Sequence, residues 1–357
     1  MSTLATFFAT DIHGSEICWC KFLNAGKAYR ADVLIMGGDL TGKMIIPIYR
    51  TNGGWQTTWK DETSHLETQA DLDGLMGSIR APGAYPYITS PEEMQTILGD
   101  PEAERQLFTQ LKAEVLQKWI ALADERLAGT GICCFIMTGN DDPYELDDVL
   151  KGANCVVNAD RITVHLTDKI AMLSFGASTI TPWNSPRELT EEEYLQQIEP
   201  LASQLAASEH AIFNFHNPPY NSEIDVALKL DSDLRVQYRS TGEAIYTPVG
   251  SHSVRVIIEK HQPMIGLHGH VHEGRGRYKI GRTVGFNPGS DYAEGALRGV
   301  LIRVSNDKGL LDYTFTMGSS PAVPNLRDNP MCPFPEYPNL AIPRHGKHAT
   351  VSKPRAL

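Results

Sequence analysis

The chain predicts an α/β fold, turning to α+β in its second half, of stacked sheets covered by helices. Three observations carry that prediction. Apolar strands alternate with helical segments through the first half, short meandering strands follow near the C-terminus, and the strands end in polar clusters where plain turns would suffice. With 357 residues, 41% hydrophobic and 21% charged, the chain has room for one large globular domain carrying an insertion.

The elements follow in order. "LATFFAT", "SEICWCKFLNAGKAY" and "DVLIMGGDL" read as strand, helix and strand, the strands closing in "DIHG" and "GGDLTG". Residues 43 to about 100 break the alternation with "TNGGW" and "APGAYP", which marks a hairpin-bearing insertion or cap. A long helix spans 101–128, with Pro near its start and Gly at its end. "ICCFIMTGNDDP" is a strand running into a turn, and "RITVHLTDKIAMLSFGAS" supplies two more strands. A helix over 190–208 opens with Thr190 and three glutamates. "AIFNFHNPPY" is a strand and turn, a helix covers 251–261, and "PMIGLHGHVH" follows. "RYKIG", "TVGFNPGS" and "LRGVLIRV" read as antiparallel strands. The main domain thus covers 1–318, and 319–357 is a Pro-rich tail.

A formal net charge of −11 disfavours a surface that grips nucleic acid through its phosphates. The start, "MSTLATFFATDIHG", has no basic n-region and its apolar stretch stops at Asp11, so neither a leader nor a membrane partner is expected. Six cysteines without a CxxC pair read as reduced packing residues, and the protein as cytoplasmic. Oligomeric state is not legible.

Chemistry concentrates at five strand ends: Asp11 and His13 in "DIHG", Asp39 in "GGDL", Asn140 in "GND", His216 in "FHNPP", and His270 with His272 in "GHVH". In extended backbone, residues two apart point the same way, so Asp11 with His13 and His270 with His272 can each converge on one point. Imidazole and carboxylate together suit Zn, Mn or Fe better than Ca or Mg. Any one of these clusters alone would be an ordinary turn; all five in order, each after an apolar strand, point to a metal centre.

The series resembles the calcineurin-like metallophosphoesterases, whose motifs run D-x-H, G-D, G-N-H/D, H and G-H-x-H, across residues 6 to 290. "GGDLTGK", "GNDDP", "HNPPYNSEID", "GHVHEGRG" and "NPGS" are similar to the branch of predicted phosphoesterases related to cyclic-nucleotide phosphodiesterases. The resemblance implies a four-layer αββα sandwich of two mixed sheets flanked by helices, with two divalent metal ions between the strand ends. It implies that Asp11, His13 and His272 hold one ion, that Asn140, His216 and His270 hold the other, and that Asp39 bridges them. It further implies hydrolysis of a small phosphodiester by in-line attack of a metal-bridging hydroxide, with Asn140, Asp141 and His216 in the catalytic group.

One departure bears on substrate. Many members of that family carry His after the Asn, where this chain has Asp141. Two divalent ions, two aspartates and a hydroxide leave a formal charge of about +1, which a phosphodiester monoanion balances and a monoester dianion overshoots. Asp141 is expected to position solvent or, protonated by desolvation, to serve as general acid. His268 shares the parity of the histidine pair and either approaches substrate or bonds backbone. Arg275, with Arg277 behind it, either holds a phosphate oxygen or faces solvent. Asp142 is read as the cap of a short helix after Pro143, and "NPGS" as a turn whose amides support the metal loops. Trp183, Trp55 and Trp59 either line a cleft or pack. The competing readings are a phosphomonoesterase or nuclease with the same centre, and a non-catalytic interaction scaffold.

Overall fold

A computed structural model describes residues 3–205 and 210–318 of the chain. Two six-stranded sheets dominate. The first runs Gly309–Gly318, Leu297–Ser305, Thr3–Ala9, Val33–Gly37, Cys133–Met137, Val156–Asn158, and the second Gly276–Ile280, Thr283–Asn287, Ile265–Leu267, His210–Phe215, Ile170–Phe175, Thr163–His165. In each, four neighbouring strands are parallel and the remainder antiparallel. Parallel strands deliver their C-terminal loops to one end of a sheet, and those loops carry the five polar clusters.

Side-chain alternation shows how the layers stack. Phe7, Ala9, Leu34, Met36, Cys134 and Ile136 point outward onto the helices Glu16–Ala28 and Pro101–Leu127, where Trp19 and Trp119 stack with ring centroids 5.1 Å apart. Phe8, Val33, Ile35, Val300 and Ile302, of opposite parity, meet Ile170, Met172, Ile212, Ile265 and Phe286 of the second sheet. The outer face of that sheet, Leu173, Phe175, Phe213 and Phe215, is covered by the helices Glu191–Gln204 and His252–His261. The expected order of helix, sheet, sheet, helix is therefore the observed one. Both faces of each sheet are buried, which explains near-continuous apolar strands such as Val33–Gly37.

Local signals fixed the helix starts. Asp100 caps Pro101–Leu127, and Thr190 forms a capping box with Glu193 at the start of Glu191–Gln204. Residues 45–98 build a four-stranded sheet with the helices Gln69–Arg80 and Pro91–Leu98, around a small core of Ile46, Ile48, Leu72 and Ile79.

Two expectations need correction. "LRGVLIRV" does not continue the meander; Leu297–Ser305 crosses to the first sheet and pairs antiparallel with Thr3–Ala9, because its inward Val300 and Ile302 fill the space beside Phe8. Cys18, Cys133, Cys134 and Cys155 are free thiols, but Cys20 is disulfide-bonded. The Pro-rich segment 319–357 lies outside the described residues. Among those residues no helix is long and apolar enough to cross a membrane.

Candidate metal centre

The strand-end loops are tied into one unit. The amides of Asp11, His13 and Gly14 donate to the carbonyls of Gly38, Asp39 and Leu40, the His268 amide to Phe286 O, and the Gly269 amide to His216 O. The "NPGS" segment braces them as expected. Asn287 Nδ2 donates to Val271 O (2.9 Å), Ser290 Oγ to Asp11 O (2.6 Å) and the Ser290 amide to His272 O (3.1 Å). Asp11, His13, Asp39 and His270 all have positive φ, from 39° to 68°. Such a conformation costs of order 1–3 kcal/mol for a non-glycine residue and gathers where function requires it.

Glycines let the loops approach. A Cβ on Gly139 would lie 2.1 Å from Asp39 Oδ1, and one on Gly269 2.3 Å from Asp11 Oδ2. This is the physical content of the G-N and G-H pairs: the residue before each polar side chain touches another loop's carboxylate.

Within this unit, Asp11, His13 and His272 form one group with ligand atoms within 4.8 Å of one another, and Asp11, Asp39 and His216 form a second; the ligand atoms of His13, Asp39 and Asp141 lie equally close. His13 Nε2 and His272 Nε2 are 2.9 Å apart, and His272 Nε2 is 3.5 Å from Asp11 Oδ1. Asp39 Oδ2 faces both His13 Nε2 (3.6 Å) and His216 Nε2 (3.5 Å), between the two groups. Asn140 Oδ1 and His270 Nδ1 are 2.8 Å apart, the separation of a direct hydrogen bond or of two donors aimed at one cation. Five of the seven expected ligand residues thus share these groups, and the other two, Asn140 and His270, pair with each other beside them, the His270 amide donating to Asp11.

The donor set fits divalent ions. His216 Nδ1 donates to Gly37 O (2.7 Å), which turns Nε2, buried and without a hydrogen-bond partner, toward the carboxylates. Burial opposes a charge on His216, yet Asp39 and Asp11 outweigh it and push the imidazole up to about 10, so the cavity favours positive charge between the carboxylates. Burial likewise works against ionised Asp11, but His216 and His272 hold it well below the usual carboxylate range. His13 and His270 are lowered by burial to about 3 and about 4, so both are neutral imidazoles, the form that ligates a metal.

Asp141 borders the centre, with Oδ2 3.9 Å from His13 Nδ1. Burial alone would raise its pKa, but the Lys43 ammonium, 2.5 Å from Oδ2, and the Ser185 hydroxyl, 2.6 Å from Oδ1, hold it far below. Asp141 is an ionised, paired carboxylate, which removes its expected role as a protonated general acid. Asp142 does not cap a helix either. The short helix Leu146–Leu150 has no side-chain cap, and the fully buried Asp142 carboxylate accepts from the amides of Leu40, Thr41 and Gly139 and from the Thr41 hydroxyl. It staples the Asp39 loop to the Asn140 loop.

His268 and Arg275, each left between a substrate contact and a structural or solvated role, make protein contacts. His268 is fully buried; Nδ1 donates to Phe215 O and Asn217 O, and Nε2 pairs with the Tyr278 hydroxyl, leaving no nitrogen for a ligand. Arg275 lays its guanidinium over the Phe315 ring (5.1 Å). Trp55 and Trp59 pack on the small core of the inserted sheet, and Trp183 is exposed on the loop that carries Ser185. Sequence reasoning missed Lys43, whose signal was its place at the end of "GGDLTGK", and Tyr292, whose ring lies 4.8 Å from His13. It also missed buried Arg187, which clamps Asp142 O, Pro143 O and Asp147.

No protein-family profile matches the chain. Over 177 residues it is 33% identical to the uncharacterized protein MJ1162 of Methanocaldococcus jannaschii, a match covering 49% of this chain and 69% of that protein. The chain belongs to the same family as that archaeal protein. In three dimensions it is similar to a solved structure at TM-score 0.51 and 13% identity, covering 89% of this chain and 99% of the other, so the two share a fold. The protein TT1561 of Thermus thermophilus aligns at TM-score 0.48 and 12% identity, with 89% of this chain and 99% of TT1561 covered.

Proposed function

We propose that this protein is a dinuclear metal-dependent phosphoesterase of the calcineurin-like kind that hydrolyses a phosphodiester. The observation that carries this reading is the meeting of Asp11, His13 and His272 beside Asp11, Asp39 and His216, with the orphaned Nε2 of His216 aimed between the carboxylates. Asp11, His13, Asp39 and His272 would hold one ion, and Asp39, Asn140, His216 and His270 the other. Two divalent ions there would polarise phosphoryl oxygens and lower the pKa of a water toward neutrality.

The chain's own residues do the rest. Gly37 O fixes the His216 tautomer so that Nε2 faces the centre, and the Asp11 amide link to Gly38 sets the aspartate at its strand end. Asp39 accepts from the Asp141 amide (3.0 Å), so its Oδ1 is oriented while Oδ2 faces the imidazoles. The Lys43 pairing supports the diester preference on a revised footing. Lys43 cancels the charge of Asp141, so the formal count at the centre stays near +1, suited to a monoanion.

The test is hydrolysis of a chromogenic phosphodiester and the matching monoester by metal-stripped protein, with Mn, Fe, Zn and Mg restored singly and Asp39→Ala as control. Diesterase activity that returns with a transition metal and is lost in the variant is expected. Bound metal without hydrolysis of either ester would sink the enzyme reading in favour of a binding protein.

A further inference from the structure

Lys43 belongs to neither metal group, yet the site is built to hold it. Its side chain is 47% exposed while that of Asp141, its partner, is 17% exposed, so the ammonium stands at the mouth of the centre on a carboxylate rooted inside. That carboxylate is fixed from all sides. Oδ1 accepts from Ser185 Oγ (2.6 Å) and Asn140 Nδ2 (3.0 Å), the Asp141 amide donates to Asp39 Oδ1, and the buried Lys112 ammonium donates to Asp141 O (3.2 Å). An ion pair between two freely exposed side chains would be held loosely. Here one partner is anchored within a residue of Asn140 and bonded to Asp39.

An ammonium carries three N–H donors. Asp141 takes one, and among the described residues no other acceptor bonds Lys43. Its partner oxygen, Asp141 Oδ2, lies 3.9 Å from His13 Nδ1, so the ammonium is held beside the centre, and Asp39 is the strongest of the charges that raise the Lys43 pKa against its burial. A compact ammonium can meet a tetrahedral anion from several directions, whereas a guanidinium would impose planar two-point contact.

Building on the phosphoesterase reading, we infer that Lys43 is a substrate-binding residue that donates to a non-bridging phosphoryl oxygen. Asp141 is its positioning residue, which holds the ammonium over the centre and cancels its charge so that a monoanion is not over-bound. Asp141 thereby acts through Lys43 and makes no contact with substrate.

The test uses full-length, Mn-loaded protein and orthophosphate as the probe, with binding read by calorimetry and competition read as inhibition of chromogenic diester hydrolysis. In Lys43→Met, phosphate binds roughly ten- to hundredfold more weakly, the loss of one charge-assisted contact. The KM for the diester rises by a similar factor, kcat changes less, and Mn content and unfolding midpoint stay at wild-type values. Lys43→Arg keeps the Asp141 pair but, with its planar fork, recovers only part of the phosphate affinity, whereas a purely structural ion pair would be restored in full. Unchanged phosphate affinity in Lys43→Met overturns the assignment while leaving metal binding and hydrolysis intact. Absence of phosphate binding by the wild type overturns it as well. Loss of the metal reading appears separately, as failure of the wild type to retain Mn, and a Lys43-dependent phosphate affinity would survive that result.

Discussion

Asp142→Asn removes one charge and changes one atom, and its consequence can be worked from four hydrogen bonds. Asp142 Oδ2 accepts from the amides of Leu40 (2.9 Å) and Gly139 (2.8 Å), and Oδ1 accepts from the Thr41 amide (2.9 Å) and the Thr41 hydroxyl (2.6 Å). An asparagine with its NH2 at the Oδ2 position would face two backbone N–H groups. With NH2 at the Oδ1 position it faces one, because the Thr41 hydroxyl can rotate and accept. The second arrangement is cheaper, and it leaves the buried Thr41 amide without a partner at about 1–3 kcal/mol. Loss of charge assistance in the remaining bonds brings the total to about 2–4 kcal/mol, a large part of a typical stability of roughly 5–15 kcal/mol. Thr41 and Leu40 follow Asp39, and Gly139 precedes Asn140, so the slackened staple also loosens two expected ligands. Guanidinium unfolding of metal-free protein and calorimetric Mn titration are the assays. A lower midpoint and Mn affinity weakened about ten- to hundredfold are expected, as for other groups that orient ligands. A variant with wild-type midpoint and wild-type Mn affinity would refute the reasoning. Asp142→Ala orphans three amides at about 3–9 kcal/mol and should yield little folded protein.

Other expectations test separate parts of the molecule. In Gly269→Ala the new Cβ falls 2.2 Å from Thr10 Oγ1 and 2.3 Å from Asp11 Oδ2, so Mn stoichiometry should drop while circular dichroism keeps its wild-type shape; full metal occupancy would contradict the close-approach account. Glu191 accepts from Ser251 Oγ, His252 N and Ser253 N at the start of His252–His261, and although burial resists its charge these donors lower its pKa. A lowered carboxylate stabilises above its unfolded pKa and loses that contribution as pH falls through the folded value. Glu191→Gln should therefore cost about 1–2 kcal/mol at neutral pH, with the gap to wild type closing below about pH 4.5; a pH-independent gap would argue against an ionised cap. Among the free thiols, exposed Cys133 should react quickly with a disulfide reagent, while Cys18, buried and pushed up to about 11, and Cys134, raised further by burial, should react only on unfolding. Peptide mass spectrometry reads this directly, and rapid native labelling of Cys18 would show that its helix opens.

The strand-end placement of the seven candidate residues was legible in the sequence because each follows an apolar strand. Strand-end placement in parallel sheets gathers loops by topology, whichever residues lie between them in the chain. Helix starts were equally local: Asp100, Thr190 and Ser251 each cap through a bond to a residue two or three positions on. The alternating parity of Phe7 and Phe8 is likewise local, set by strand geometry. Such features depend on a few consecutive residues, so the sequence alone determined them.

Only the tertiary structure decided the partners. Lys43 and Asp141 are 98 positions apart, Asp142 serves loops about a hundred residues upstream, and Arg187 reaches back some 40 residues to hold the same turn. A charged residue in a polar loop reads the same whether it faces water, a helix end or another loop, because its local spacing does not specify its counter-ion. His268 shows the converse: parity alone left it free to face the centre, and two carbonyls and the Tyr278 hydroxyl claimed it. Period and capping are short-range properties of backbone geometry, whereas charge pairing and desolvation depend on what long-range folding brings within a few ångströms.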